Sequence, residues 1–429
     1  MIRDRAQLRA RTLPNARTLP NARTLPNESL PMSPLFKSAL VLGLLSAVGP
    51  FAIDMFLPAL PAIAADLRAD VSTTQGTISF YFMAFGLSQL IYGPLADQLG
   101  RKVPIYIGLS LFIIGSIAAT VAPTIAALIT ARMIQGAGAA SLMVMTRAII
   151  RDQYRGYEAT RLMSLVMLVF SVSPMFAPLA GSGLILVTGW RGVFAAMGVA
   201  GILAFVITAV LQPETLPKDK RVKVSLNAMA RGAKTLFRDP VFLGLTFIGA
   251  FSMSAFFVFI ASASFVYTES FGLTPAQFSL AFTVNAMGFI GASQIAPGLM
   301  RKHGALKIIS LGVFGYAASM LALFTLVLVG LGTFWVMVAG LVVTFAFVGL
   351  VIPTAMVASL DDHGEIAGLA SSLGGTLQMV AGGVMTAAAG PFFDGTPLPM
   401  VGAMMACSLI ALTLLLVVTP RARMRMSPF

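Results

Sequence analysis

The chain has 429 residues, of which 57% are hydrophobic and 10% charged, and its mean hydropathy is +0.89. Soluble domains carry about 25% charged residues, so a soluble globular protein is excluded; a single Cys and no Gly-X-Y period exclude disulfide scaffolds and collagen. The formal charge of +13 would point to nucleic acid in a soluble chain, but in a membrane protein its placement decides.

Residues 11–27 repeat RTLPNA, a polar, Pro-containing unit without apolar period. Residues 1–35 therefore read as a disordered cytoplasmic tail without a cleavable signal, and Met32 is an alternative start. From Phe36 on, the sequence falls into apolar runs of about 20 residues or more, enough to span a bilayer. Twelve are predicted, near 36–62, 74–96, 103–122, 124–148, 161–187, 190–211, 241–268, 275–299, 305–329, 332–359, 366–391 and 398–419. Backbone groups in hydrocarbon must be satisfied within the segment, so each is expected to be helical. An all-α membrane protein of twelve transmembrane helices follows.

Lys and Arg set the orientation. With the N-terminus in the cytoplasm, all but three of the 29 basic residues fall on that side; the exceptions are Arg68, Arg132 and Arg191. This asymmetry accounts for the charge, so nucleic acid is not expected as a partner. The loop 212–240 separates an N-terminal half, 36–211, from a C-terminal half, 241–420, each with six predicted helices, and 421–429 is a cytoplasmic tail. Ser88-Gln89-Leu90 before Gly93 and Gly100 is weakly echoed by Ser293-Gln294-Ile295 before Gly298 and Gly304. Such duplication is common in transporters, whose substrate site lies between the halves.

Of the acidic residues, only Asp54 lies well inside a span, in Gly49-Pro50-Phe51-Ala52-Ile53-Asp54-Met55-Phe56-Leu57-Pro58. A carboxylate there costs several kcal/mol unless it is paired or protonated, so proton exchange on Asp54 is expected. Arg132, in Arg132-Met133-Ile134-Gln135-Gly136, is its basic counterpart. At about 1.5 Å per residue, Arg132 lies about 12 Å from the outer face and Asp54 about 10–18 Å. Their shared depth allows a direct or water-bridged pair. Gly136 and Gly138 permit close helix approach. The GAGAAS run that contains them follows no strand, so it is not a dinucleotide loop.

The loop Gly93-Pro94-Leu95-Ala96-Asp97-Gln98-Leu99-Gly100-Arg101-Lys102 is a tight basic reversal. There Asp97 is placed to face a helix N-terminus and Arg101 to pair with a nearby acid. Pro174 and Pro178, beside Gly181 and Gly183, are expected to bend the fifth span. Phe51, Met55, Tyr81, Phe257 and Asn285 are candidate substrate-pocket residues, because aromatic and Met side chains suit adaptable recognition. No G-x-x-x-x-G-K-[ST] loop occurs, so an ion gradient rather than ATP is the expected energy source. With Cys407, His303 and His363 far apart, no metal site is expected.

Together these motifs resemble the major facilitator superfamily across residues 36–420. Gly93 to Lys102 resembles its G-x-L-a-D-r-x-G-r-k signature, with Pro94 at a variable site and Gln98 in place of a common basic residue; the second-half copy has Arg301 where the Asp would fall. Asp54-Met55-Phe56-Leu57-Pro58-Ala59-Leu60-Pro61, Arg132-Met133-Ile134-Gln135-Gly136 and Ala367–Leu373 resemble the Bcr/CflA drug:proton antiporters. Ser173-Pro174 to Ala177-Pro178 resembles the helix-5 antiporter signature, with Ala177 for the expected Gly. The resemblance implies that Asp54 carries the proton, tuned by Arg132 and Gln135. It implies that Asp97 faces the start of the eleventh helix near Glu365–Gly368, and that Arg101 pairs with Asp152. Gly93 and Gly100 belong to the same gating loop.

The expected function is proton-coupled export of small amphipathic drugs, such as bicyclomycin or chloramphenicol, by alternating access. A dedicated metabolite exporter or a proton symporter on the same fold is the alternative. A membrane enzyme would need a cluster of His, Asp or Ser, and a receptor an appended signalling domain; neither is present. The expected partners are drug, protons and the lipid bilayer, with no cofactor. A monomer in the bacterial inner membrane, with both termini cytoplasmic, is expected.

Overall fold

The computed structural model describes residues 34–154, 156–222 and 226–426. The hexapeptide repeat lies outside the described residues. Every regular element among the described residues is helical. In chain order these are α1 (Pro34–Asp54), a 3-10 turn (Leu57–Ala59), α2 (Leu60–Asp66), α3 (Val71–Leu99), α4 (Lys102–Thr120), α5 (Ile125–Gln153) and α6 (Gly156–Leu211). Then follow α7 (Leu226–Arg238), α8 (Pro240–Phe265) with a π-helical extension (Val266–Ser270), α9 (Pro275–His303), α10 (Ala305–Leu328), α11 (Phe334–Leu360), α12 (Ala367–Ala389) and α13 (Pro397–Met426).

Short polar residues start these helices by satisfying free N–H groups. Asp70 accepts from Thr73 N–H at 2.9 Å, Thr124 from Ala127 N–H at 3.3 Å, and Asp239 from Val241 N–H at 2.8 Å. Thr274 and Gln277 form a capping box with Pro275 at the first helical position. Gly100 and Gly304 end α3 and α9 with φ of 91° and 85°. The two halves of the weak sequence echo thus end alike.

Ten helices among the described residues are long and apolar enough to cross a membrane. Twelve were expected, and the difference has two causes. The expected spans 161–187 and 190–211 count as one among the ten, although the non-helical Gly189 (φ 70°, ψ −176°) divides α6 into two helices at the boundary between them. The expected span 366–391 is α12, whose glycines, Ser371, Ser372, Thr376 and Gln378 dilute its apolar content. Small residues suit α12 because it packs along α3 and α8 inside the bundle. The expected first span is also interrupted, between α1 and α2, and the expected loop 212–240 contains a helix, α7.

Helices α1 to α6 pack chiefly on one another, as do α8 to α13, and the α3–α12 and α6–α9 seams join the two groups. Phe82 of α3 stacks on Phe257 of α8 at 3.7 Å between ring centroids. Thr376 Oγ1 of α12 donates to the Gly86 carbonyl of α3 at 2.8 Å, and Gln75 Nε2 to Ser262 Oγ at 3.2 Å. Gly86 and Gly383 hold this seam close, since an added Cβ at either would strike the facing helix. Arg191, one of the three exceptions to the charge asymmetry, is paired locally. It bonds Asp66, stacks on Trp190 at 4.1 Å and ties the end of α2 to the Gly189 break.

Candidate functional site

Asp54 is the last residue of α1 and is buried. The helix stops there for a local reason: Pro58 has no N–H to give the Asp54 carbonyl. The last α-helical bond runs from Met55 N–H to the Phe51 carbonyl at 2.9 Å, after which the 3-10 turn closes from Ala59 N–H to Phe56. Among the described residues, no hydrogen bond or ion pair reaches the Asp54 carboxylate. The direct Asp54–Arg132 pair allowed by their shared depth is therefore not formed.

Arg132 is fully buried and has other partners. Its Nη1 donates to the Ala52 carbonyl at 3.0 Å and to Gln135 Oε1, and its Nε lies 3.4 Å from the Thr77 carbonyl. Gln135 passes the connection to Ser116 Oγ at 2.8 Å, and Ser116 donates to the Phe112 carbonyl at 2.7 Å. One buried polar chain thus runs from α1 through α5 to α4. The guanidinium carbon lies 4.2 Å from the ring centroids of Phe56 and Tyr81 and 5.9 Å from Phe194, a desolvated setting in which cation–π attraction is strong. Nη2 has no hydrogen-bond partner among the described residues.

Pro174 and Pro178 of the expected fifth span lie inside α6, and Gly181 just beyond them packs on the interruption beside Asp54. A Cβ at Gly181 would fall on the Met55 carbonyl oxygen, so only Gly permits this contact. Pro178 is buried and Pro174 half-buried. Ser279 and Thr283 of α9 place their hydroxyls 3.0 Å from the carbonyls of Pro178 and Met175, and α9 also packs on the Leu57–Ala59 turn. The same hydroxyls lie 2.9 Å from carbonyls of their own helix. Asp54's break, the proline segment and α9 therefore form one contact sequence.

At the basic face, Arg101 is 5% exposed and is held by two acids. Its Nη1 meets Asp97 at 2.9 Å and its Nε meets Asp152 at 2.7 Å. Burial alone would weaken the guanidinium's hold on its proton, but the hydrogen bonds it donates to Asp152 and Asp97 outweigh this and raise the pKa. The Arg101–Asp152 pair implied by the resemblance is thus present as geometry. Among the described residues, Asp97 bonds Arg101 and, through its carbonyl, Val222 N–H at 3.1 Å; none of these bonds reaches Ala367 or Gly368. Gly93 has open space around its missing Cβ, whereas a Cβ on Gly100 would strike Glu214 and Arg221.

Glu214 was not anticipated. It accepts from the N–H groups of Arg101 (2.8 Å) and Lys102 (3.2 Å) at the start of α4, and from Thr215 and Leu216 in its own segment. Burial would raise its pKa, but these backbone donors prevail and hold it below the usual carboxylate range. The available signal was an acidic residue directly after Pro213, in a loop otherwise read only for its cations.

Of the five candidate pocket residues, Tyr81 and Phe257 are joined through Phe82, which meets Tyr81 edge-on at 6.1 Å. Tyr81 lies beside Arg132, while Phe51 and Met55 flank Asp54 along the chain; Phe257 stacks on Phe82. Asn285 stands apart, donating to the Tyr267 hydroxyl at 2.8 Å, with its Oδ1 unpaired among the described residues. Two apolar recesses, of about 320 and 360 Å³, lie between α12 and α13 and between α4 and α6, and none of the five lines either.

Comparison with known proteins gives a consistent picture. A family model described as Major Facilitator Superfamily matches residues 42–387. The chain is 31% identical over 372 residues to the uncharacterized MFS-type transporter YdgK of Bacillus subtilis, covering 86% of this chain and 91% of that protein. It is 30% identical over 379 residues to the bicyclomycin resistance protein homolog of Haemophilus influenzae, covering 88% and 94%. It is 27% identical over 346 residues to multidrug resistance protein D of Escherichia coli, covering 81% and 86%. Among solved structures, a D-xylose-proton symporter superposes with a TM-score of 0.70 at 15% identity, covering 89% of this chain and 97% of that one. The human organic anion transporter MFSD10 gives 0.66 at 16%, covering 90% and 100%. At these identities the solved structures speak for the fold alone.

Proposed function

Because the chain belongs to the major facilitator superfamily, with relatives of the Bcr/CflA drug-efflux type, we propose that it exports small amphipathic drugs in exchange for protons. Twelve membrane crossings in two six-helix halves suit this reading, with α6 crossing twice around Gly189 and α12 as a crossing lined by small residues. A bacterial inner-membrane location with both termini in the cytoplasm follows from the basic face carrying Arg101, Lys102, Arg301 and Lys302.

One observation carries the proposal: a buried carboxylate, Asp54, sits at a helix break with no partner among the described residues. Such a group is least costly when neutral, so its charge is governed by proton supply. Its neighbours on both sides move with any change in the break. Ala52 is bonded to Arg132, and Met55 is packed on Gly181. Protonation at Asp54 is thereby tied to the packing of α1 against α5 and α6. Coupling requires that proton and drug each bias the inward–outward equilibrium, and Phe51, Met55 and Tyr81 put apolar drug contacts within this neighbourhood. Drug entering beside a charged Asp54 and protons entering from the other face form a consistent antiport cycle.

Everted membrane vesicles test the proposal. Bicyclomycin should accumulate when the vesicle interior is made acid and should leak out when a protonophore collapses the gradient. Uptake that is indifferent to the gradient would contradict proton coupling.

A further inference from the structure

The α4 N-terminus presents free backbone N–H groups at Arg101 and Lys102, as every helix start does. They are met by a carboxylate from far along the chain, Glu214, at 2.8 and 3.2 Å. Gly100 makes the approach possible, since it adopts φ 91° and an added Cβ would strike the Glu214 carboxylate. Arg221 approaches the same carboxylate at 3.8 Å. The segment around Glu214 touches the other members of the cluster as well. Thr215 Oγ1 donates to Asp152 at 3.2 Å, and Val222 N–H donates to the Asp97 carbonyl at 3.1 Å. Asp97, Arg101 and Asp152 therefore each have a contact from 214–222.

Further along the chain, α7 packs on α12. An added Cβ on Gly232 would meet Leu369, and Leu236 is buried with Ala370 and Leu373. Met229, Gly232, Ala233 and Leu236 give α7 an inward face, while Arg231, Lys234 and Arg238 stand exposed on the other side. Residues 214–222 thus form a strap from the end of α6 across the start of α4.

We infer that Glu214 is a positioning residue of the transport cycle: it fastens the 214–222 strap to the Asp97–Arg101 loop, so that the strap and the loop's ion pairs move together. This rests on reading that loop as a gate. Glu214 acts through Arg101 and not on the drug. Its loss is expected to lower the maximal rate and to leave the half-saturating drug concentration in place.

Hydrogen–deuterium exchange on the full chain in lipid nanodiscs tests the strap without any substrate. Glu214→Gln should speed exchange of the Arg101 and Lys102 amides by about tenfold, the scale of a lost charge-assisted hydrogen bond, with α10 amides unchanged. Glu214→Asp, which keeps the charge, should restore most of the protection. Unchanged exchange at Arg101 and Lys102 in Glu214→Gln would overturn the inference. If Glu214→Gln raises exchange throughout α10, its fold is lost and Glu214→Asp decides: wild-type-like protection supports the strap, and Gln-like exchange overturns it. In bicyclomycin efflux, Glu214→Gln should lower the maximal rate several-fold at constant half-saturation. An unchanged rate would remove the claim on transport. A wild type that moves no bicyclomycin would count against the proposed function and leave the exchange result standing.

Discussion

Arg132 donates to the Ala52 carbonyl at 3.0 Å, two residues before Asp54, and gives the Asp54 carboxylate nothing. The two intramembrane charges are thus linked through backbone and packing rather than through an ion pair. That arrangement leaves Asp54 without a counter-ion among the described residues, so in the proposed cycle a proton would not have to displace an arginine. It also gives Arg132 a mechanical part: it joins α1 to α5 and, through Gln135 and Ser116, to α4.

Arg132→Lys is expected to cut efflux at least tenfold, because one ammonium cannot reach Ala52, Gln135 and Thr77 from the separate Nη1 and Nε positions of the guanidinium. Arg132→Met should also destabilise the fold. Each buried acceptor left unpaired costs about 1–3 kcal/mol. A lower thermal unfolding midpoint in detergent would show this, and full activity in Arg132→Lys would argue against the fixed geometry.

Gly181→Ala introduces a methyl where the Met55 carbonyl already lies. Overpacking of this kind costs about 1–3 kcal/mol, and relief requires α6 to move away from the break beside Asp54. The expected result is a lower unfolding midpoint together with weakened efflux. Gly183→Ala, where the missing Cβ has open space, should lower neither. Equal behaviour of the two variants would refute the contact's importance.

Asp97→Asn removes one of the two acids that hold the buried Arg101 and leaves Asp152 in place. Cycling should slow several-fold while equilibrium drug binding stays near wild type. A selective loss of affinity with intact turnover would contradict a gating role.

Removal of residues 1–31 is expected to leave efflux per inserted molecule unchanged, since the RTLPNA repeat offers no apolar period to pack. Quantifying transport against surface-labelled protein checks this, and a large loss would give the repeat a function.

Most of the helical organisation was legible because apolar run length is dictated by bilayer thickness. The kink at Gly189 falls between the expected spans 161–187 and 190–211. Helix α7 escaped because it is short and half polar, so a search for long apolar runs passes over it. Asp54 and Arg132 stood out as ionisable residues in apolar surroundings. Their failure to pair could not be foreseen, because lateral distance between helices depends on packing and not on depth. The Arg101–Asp152 contact followed from resemblance, whereas Glu214 is brought to Arg101 across 113 positions by the fold alone. The bond from Asn285 to the Tyr267 hydroxyl joins positions 18 apart and had no signal in the sequence.

The central claim, that proton and drug compete through Asp54, is tested most directly by proton release. Purified wild-type protein and Asp54→Asn, in detergent and weak buffer, receive bicyclomycin or chloramphenicol while pH is recorded. The account predicts drug-dependent release of protons from wild type, with none from a folded Asp54→Asn protein. Drug binding to wild type without proton release, or equal release from Asp54→Asn, would contradict it.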